Sequence, residues 1–441
     1  MTVSDNDKPL RIAIIGGGIA GVTLLLALLK HTPRQNIVPH LYEATPEFSE
    51  IGAGIAFGSN SIRAMELIDA ELAAAYNRHA TFQPDTGALD KKLWSSYRMG
   101  MDGKGPPSNS LKAGEYLHEV HAPVARSSVH RARFLEAMTA LLPPEGGYVS
   151  FGKRLVSIDE GTDGVTAHFA DGTSVSVDAV LGCDGIKSRV RQILLEGEEA
   201  ANAVFTGKYA YRGLIPMDEA VAALGEYTAR NNHFHWGYGG HLLTFPIEHG
   251  KTMNVVAFRT KVNGTWEHGS QWVLPGNKKQ MLQDFESWGP DVRAILSLMR
   301  NADIWAMFDH APASTYHRDG RICLVGDAAH ASTPHQGAGA GMAVEDVFVL
   351  SRLLGEVREK SHLERAFMAY DAVRRPRTQQ LVRTSRDAGM LYECQKEGVW
   401  DDVDKIRENL NMRMRWIWEL DVEQHLQDAL DIFHTTTNGP V

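Results

Sequence analysis

Cysteine is scarce in this chain: only Cys183, Cys323 and Cys394 occur in 441 residues, far apart and with no short pairing. That spacing makes neither a redox dithiol nor a zinc knuckle, so disulfides and a cysteine metal site are disfavoured and no metal is expected. Basic blocks with interleaved aromatics are missing too. The net charge is −9 with the acidic residues spread along the chain, so the phosphate attraction that drives nucleic-acid binding is absent and no nucleic-acid partner is expected. The longest uncharged apolar run, residues 12–29, is broken by Gly16, Gly17, Gly18 and Gly21. A strand, a turn and a helix explain it better than a membrane span, and no membrane partner is expected. Ahead of it, Ser4, Asp5, Asn6, Asp7 and Lys8 lack the basic-then-apolar order of a secretory signal, which predicts a soluble, cytoplasmic protein.

What is present is enough chain for two or three packed domains, with 43% hydrophobic composition. Residues 11–15 read as a buried strand, 19–30 as a helix and 38–42 as a second strand, a βαβ unit that opens the chain. Helical patterns follow around 60–80 and over 131–142. The segment 149–180 alternates about the Asp171-Gly172 turn and predicts a hairpin. Strand-like runs at 209–214, 242–246 and 253–258 predict a second sheet. A last buried strand is expected at 321–325, and after Glu345 the pattern is helical. The stretch 100–114, rich in Gly, Pro and Ser, reads as a flexible loop.

Gly16, Gly18 and Gly21 stand where the first strand turns into the first helix. There, backbone N–H groups can approach a pyrophosphate and the helix dipole favours its charge. Glu43 ends the second strand, placed for the ribose hydroxyls of an adenosine and unsuited to a 2′-phosphate. A glycine triplet alone equally serves a tight packing turn. A second motif, Gly182-Cys183-Asp184-Gly185 with Ser188 and Arg191, follows another strand. A third runs Gly326-Asp327-Ala328-Ala329-His330, then Pro334-His335-Gln336-Gly337-Ala338-Gly339-Ala340-Gly341. Its glycines and the following helix start expose backbone N–H groups suited to a bound negative charge.

In this order and separation, the three motifs resemble those of the single-component FAD-dependent aromatic hydroxylases over nearly the whole chain, with Cys183 replacing a small alanine. The resemblance implies an α/β fold: a Rossmann-like FAD-binding domain assembled from separated segments (1–75, 110–200 and 312–360), a β-sheet substrate domain (76–109 and 201–311) and a helical C-terminal part (361–441). It implies non-covalent FAD, held by Gly16, Gly18, Gly21, Glu43, Arg133, Asp184, Asp327, Gly339 and Ala340, with NADH as transient reductant and O2 as co-substrate. Arg133 has the alternative of a solvated helix charge, and Asp184 that of a turn residue.

Within the family the chain is most similar to salicylate hydroxylases, through Ala210-Tyr211-Arg212-Gly213, Leu242-Leu243-Thr244-Phe245-Pro246, Asn254 to Phe258, and Ala369, Tyr370, Asp371, Arg374, Arg375, Pro376 and Arg377. Related fungal phenol hydroxylases often carry tyrosine where Phe245 stands. This resemblance implies decarboxylative hydroxylation of salicylate to catechol through a flavin C4a-hydroperoxide. His335 is then the candidate base for the phenol, with the alternative of bracing its loop, Arg212 the candidate cation for carboxylate or phenolate, with the equal alternative of a structural ion pair between sheet and cofactor domain, and Phe245 an apolar wall, with Trp236, Met253 and Val255 as further wall residues or simple core. The alternatives are another hydroxybenzoate, a polyketide-derived phenol, or a non-catalytic dinucleotide-binding scaffold. The tail residues Met412, Met414, Trp416, Ile417 and Trp418 are expected to pack on the cofactor domain or to form a dimer surface, leaving monomer or homodimer open.

Overall fold

The structure, a computed structural model, describes residues 8–32, 36–48, 54–83, 92–104, 111–144, 146–261 and 264–437. Leu10–Ile15, Ile19–His31 and Ile37–Tyr42 form the expected βαβ unit. Four of the six residues Leu10 to Ile15 are consecutive and fully buried, as a strand covered on both faces requires. Around it lies a six-stranded sheet in the order His317–Arg318, Ile322–Leu324, Ala179–Gly182, Leu10–Ile15, Ile37–Tyr42, Val149–Ser150. All neighbours are parallel except the first pair. Chain order and spatial order diverge on either side of Leu10–Ile15, which makes the crevice at its carboxyl end a natural dinucleotide site.

The segment predicted as a hairpin is a three-stranded meander, Leu155–Gly161, Gly164–Phe169 and Ser174–Val177, and Asp171-Gly172 makes its second turn. A larger eight-stranded sheet carries Asp303–His310, Ala203–Pro216, Thr252–Thr260, Gly240–Ile247 and His233–Gly237, then Lys92–Met99 and Tyr116–Ala122 at one edge. The last two strands have no strong period-2 signal in sequence. Tyr116–Ala122 therefore belongs to the larger sheet, and the expected domain boundary at residue 110 falls short of it. Of the predicted loop 100–114, residues 105–110 lie outside the described residues.

One face of the larger sheet packs on helices Pro290–Leu298 and Met217–Leu224 through Met253, Val255, Ala257 and Leu242. The other face turns to the cofactor domain and to the long helix His362–Tyr392. Met414, Ile417 and Trp418 join Trp94, Tyr97 and Phe234 of the larger sheet and also meet the nucleotide domain, where Ser59 Oγ donates to the Trp418 carbonyl oxygen at 2.9 Å. Among the described residues no helix is long and apolar enough to cross a membrane.

Candidate active site

At the glycine turn, Gly16 has φ +106°, and a Cβ there would stand 2.5 Å from Cys183 O. A Cβ on Gly21 would lie 1.9 Å from Gly16 O. The strand-to-helix turn is closed to any side chain at these two positions, which is the close approach that a pyrophosphate needs. Gly18 caps Ile19–His31 without a side-chain hydrogen bond, leaving the first-turn N–H groups for an anion. Glu43 reaches the same turn: its Oε2 accepts from Gly17 N at 2.5 Å, and its Oε1 from Thr45 N at 2.7 Å.

Asp184 has a local duty. Its carboxylate accepts from Ser188 Oγ at 2.5 Å, Arg189 N at 2.7 Å and Val190 N at 3.1 Å, so it organises the start of Arg189–Leu194. Burial pushes its pKa up against these donors. Asp327 differs: it is exposed at the start of its short helix, and its Oδ1 lies 3.9 Å from the position of a Cβ on Gly339. Gly339–Glu356 begins behind Ala338 with no side-chain cap, so the N–H groups of Gly339 and Ala340 face outward from an uncompensated helix start. Residues Ala56, Gly58, Gln336, Gly337 and Ala338 line a cleft at this loop, facing Trp94 and Trp418.

Arg133 requires a correction. Its side chain is 65% exposed on the outer face of Arg131–Thr139 and pairs with Glu136 at 3.0 Å, one turn on. The inward arginine is Arg131, whose Nε is buried and whose charge lies close enough to Arg212 to depress it. Residues two apart on a helix point about 200° apart, so the choice between these neighbours was a matter of helix phase.

A buried ionic network holds the third motif. Asp346 accepts from Gly326 N at 3.1 Å, binds His330 Nε2 at 2.5 Å and takes Arg374 Nε at 2.8 Å. Glu345 takes Arg374 Nη1 at 2.7 Å and Arg377 Nε at 2.8 Å. Burial raises both acids, but the arginines and His330 outweigh it and hold each at about 2.

On the larger sheet, Arg212 pairs with Val256, which pairs with Leu243, and Phe245 follows two residues on. Arg212 and Phe245 therefore share the face turned to the cofactor domain. Arg212 stacks over Trp305 at 4.6 Å, and burial lowers it to about 10. Phe245 meets the strand Gly54–Phe57, since a Cβ on Gly54 would lie 2.5 Å from its ring. Met253 and Val255 lie on the opposite face and are core. Trp236 is on the inner face but fully buried against Tyr392, 5.5 Å away.

His335 is enclosed between sheet and long helix, 5.0 Å from the Phe258 ring and 5.2 Å from the His241 ring, and neither of its ring nitrogens has a partner. Burial, then His241, push its pKa well below the usual histidine value, so it is neutral. Behind it, His241 Nδ1 lies 3.3 Å from Glu393 Oε1, and Lys208 Nζ donates to Glu393 Oε2 at 2.5 Å. Ligand-type atoms of His241, His335 and Glu393 lie within 4.8 Å of one another. The Lys208 ammonium already provides the positive charge that a metal would bring to Glu393. His241, Glu393 and Lys208 escaped sequence reasoning because they come from two strands and the end of a helix, with no shared spacing.

A family model described as an FAD binding domain matches residues 10–209 and 277–385. A 6-methylsalicylate 1-monooxygenase of Aspergillus terreus (strain NIH 2624 / FGSC A1156) is 41% identical over 429 residues, 96% of this chain and 92% of that protein. A salicylate hydroxylase of Pseudomonas putida is 38% identical over 439 residues, 97% of this chain and 96% of the other. The solved structure of a salicylate hydroxylase substrate complex superposes with a TM-score of 0.83 at 36% identity, covering 96% of this chain and 98% of that one. The chain belongs to this FAD-binding family and is an FAD-dependent monooxygenase. Within the family it is an aromatic hydroxylase of the salicylate hydroxylase type. The closed glycine turn, the free Asp327 and the uncapped Gly339 helix fit the FAD that the family implies.

Proposed function

We propose that the enzyme uses NADH and O2 to hydroxylate salicylate at its carboxylate-bearing carbon, releasing carbon dioxide and catechol. The observation that carries this reading is the arrangement of Phe245 and Arg212 on one sheet face with an enclosed, unpartnered His335 on the flavin-side loop. Glycines 16, 18 and 21, Glu43, Asp327, Gly339 and Ala340 hold FAD on this reading, and Asp184 shapes the segment beside the pyrophosphate.

Bound FAD, reduced by NADH, supplies the activated oxygen. The remaining requirements fall to side chains. A phenol has a pKa near ~10, so ring nucleophilicity at neutral pH needs help toward phenolate. His335 takes the phenol proton at a free ring nitrogen, and an anionic substrate beside it raises its depressed pKa toward the working range. Arg212 stabilises the phenolate by its charge. Phe245 and the buried sheet face exclude water. Attack at the carbon ortho to the hydroxyl leaves a ring from which loss of carbon dioxide restores aromaticity. One oxygen atom of O2 enters the ring and the other leaves as water, with two electrons from NADH and two protons.

The relative that is named a 6-methylsalicylate 1-monooxygenase favours a second reading, a ring-substituted salicylate. The test is NADH and NADPH oxidation by the yellow protein with salicylate, 6-methylsalicylate and other hydroxybenzoates, with products identified by mass and peroxide assayed. Catechol with stoichiometric carbon dioxide and little peroxide establishes the first reading. Oxidation that yields only peroxide makes salicylate a pseudo-substrate and moves the assignment to a larger phenolic acid. We assign the enzyme to the cytoplasm, where NADH is available and the buried thiols Cys183, Cys323 and Cys394 stay reduced.

A further inference from the structure

Arg126 precedes the strand Ser127–His130 and is 92% buried by the complement of its 8% exposure, yet among the described residues no carboxylate lies within ion-pair distance of it. Its guanidinium lies over two rings, 5.3 Å from the Trp94 centroid and 5.5 Å from that of Phe245. One side is anchored: with the Asn232 amide oriented to satisfy its neighbours, its oxygen accepts from Arg126 Nε at 3.1 Å and Nη2 at 3.3 Å, while its nitrogen donates to Ser95 Oγ at 2.7 Å. Tyr76, Tyr97 and Tyr392 are its other polar surroundings, all of them neutral at pH 7. Burial depresses the guanidinium to about 10, still far above neutrality, so the site carries a full positive charge without a counterion.

A buried, uncompensated guanidinium is costly, and a planar cation fixed over aromatic rings retains its bidentate edge for a planar anion. Trp94 also lines the cleft at the flavin-side loop, and Phe245 meets the strand that carries Gly54. Trp94 is therefore shared by the unpaired cation and that cleft.

We infer that Arg126 is the counterion of the substrate: it receives the carboxylate of an aromatic acid and sets the preference for acids over neutral phenols. This rests on the phenolic-acid reading above and deepens it. Arg212 is then left to the phenolate, and the two arginines divide the two oxygenated groups of the substrate.

The experiment uses the FAD-loaded enzyme and three proteins: wild type, Arg126→Gln and Arg126→Lys. Dissociation constants for salicylate and for neutral salicylamide are read from the perturbation of the flavin absorbance spectrum, with FAD content as the control for folding. In wild type, salicylate binds more tightly than salicylamide. In Arg126→Gln, salicylate binding weakens about tenfold or more while that of salicylamide changes less than about twofold, and Arg126→Lys retains part of the preference. If wild type prefers salicylate and the glutamine variant keeps that preference, the Arg126 assignment falls and the acid reading stands. If wild type prefers the neutral amide, both fall. Should Arg126→Gln lose FAD, the comparison of Arg126→Lys with wild type decides, since a lysine variant that weakens both ligands by the same factor and so keeps the full preference leaves Arg126 a structural residue.

Discussion

Arg374 donates from Nε to Asp346 Oδ1 at 2.8 Å with both side chains fully buried, which ties the long helix His362–Tyr392 to the second turn of Gly339–Glu356. Because Asp346 also holds Gly326 N–H and His330, the same pair fixes the loop that bears Asp327. Replacement of Arg374 by methionine leaves Asp346 and Glu345 as buried, under-compensated charges. The expected cost is about 3–5 kcal/mol, read as a lowered thermal midpoint and loss of FAD on gel filtration.

Glu43 already accepts the Gly17 N–H, so its carboxylate is fixed at the glycine turn before any nucleotide arrives. For Glu43→Gln, FAD affinity is expected to fall about tenfold to a hundredfold, the worth of charge-assisted hydrogen bonds to hydroxyls. Titration of apoprotein with FAD by fluorescence quenching measures it, and unchanged affinity would show that the carboxylate serves only the turn.

His335 has no protein partner at either nitrogen, so its removal leaves no buried group stranded. For His335→Asn, kcat is expected to fall roughly a hundredfold or more with a smaller change in salicylate affinity, and the loss should lessen as rising pH ionises the phenol without help. A uniform loss at every pH would assign His335 to packing.

Acid sensitivity should begin with histidines. Burial lowers His235 and His310 to about 3 and His233 to about 4. Each remains neutral in the folded chain while the unfolded chain takes up protons below about 6.5, so the stability present above that pH is lost as pH falls. At pH 5 each contributes a destabilisation of about 2 kcal/mol relative to pH 8. A second loss follows between about pH 4 and 2, where unfolded carboxylates protonate and Glu345 and Asp346 do not. Thermal midpoints across pH 8 to 3 should therefore decline from near pH 6.5; a flat profile down to pH 4.5 would contradict this account.

The nucleotide half of the molecule was legible in sequence because its signals are local. Gly16 and Gly21 are glycines for backbone reasons, Ile12 to Ile15 are buried on both faces, and Glu43 follows at the length of one βαβ unit. Such constraints act within a few tens of residues and leave a readable spacing. The tertiary structure alone decided which of Arg131 and Arg133 turns inward, that Met253 and Val255 face away from the site, that Tyr116–Ala122 joins the larger sheet, and that Trp418 closes on Trp94. It alone brought Lys208, His241 and Glu393 behind His335, and set Arg126 over Trp94 and Phe245. The reason is physical: a buried charge is specified by what surrounds it in three dimensions, and neighbours from separate elements leave no period in the chain.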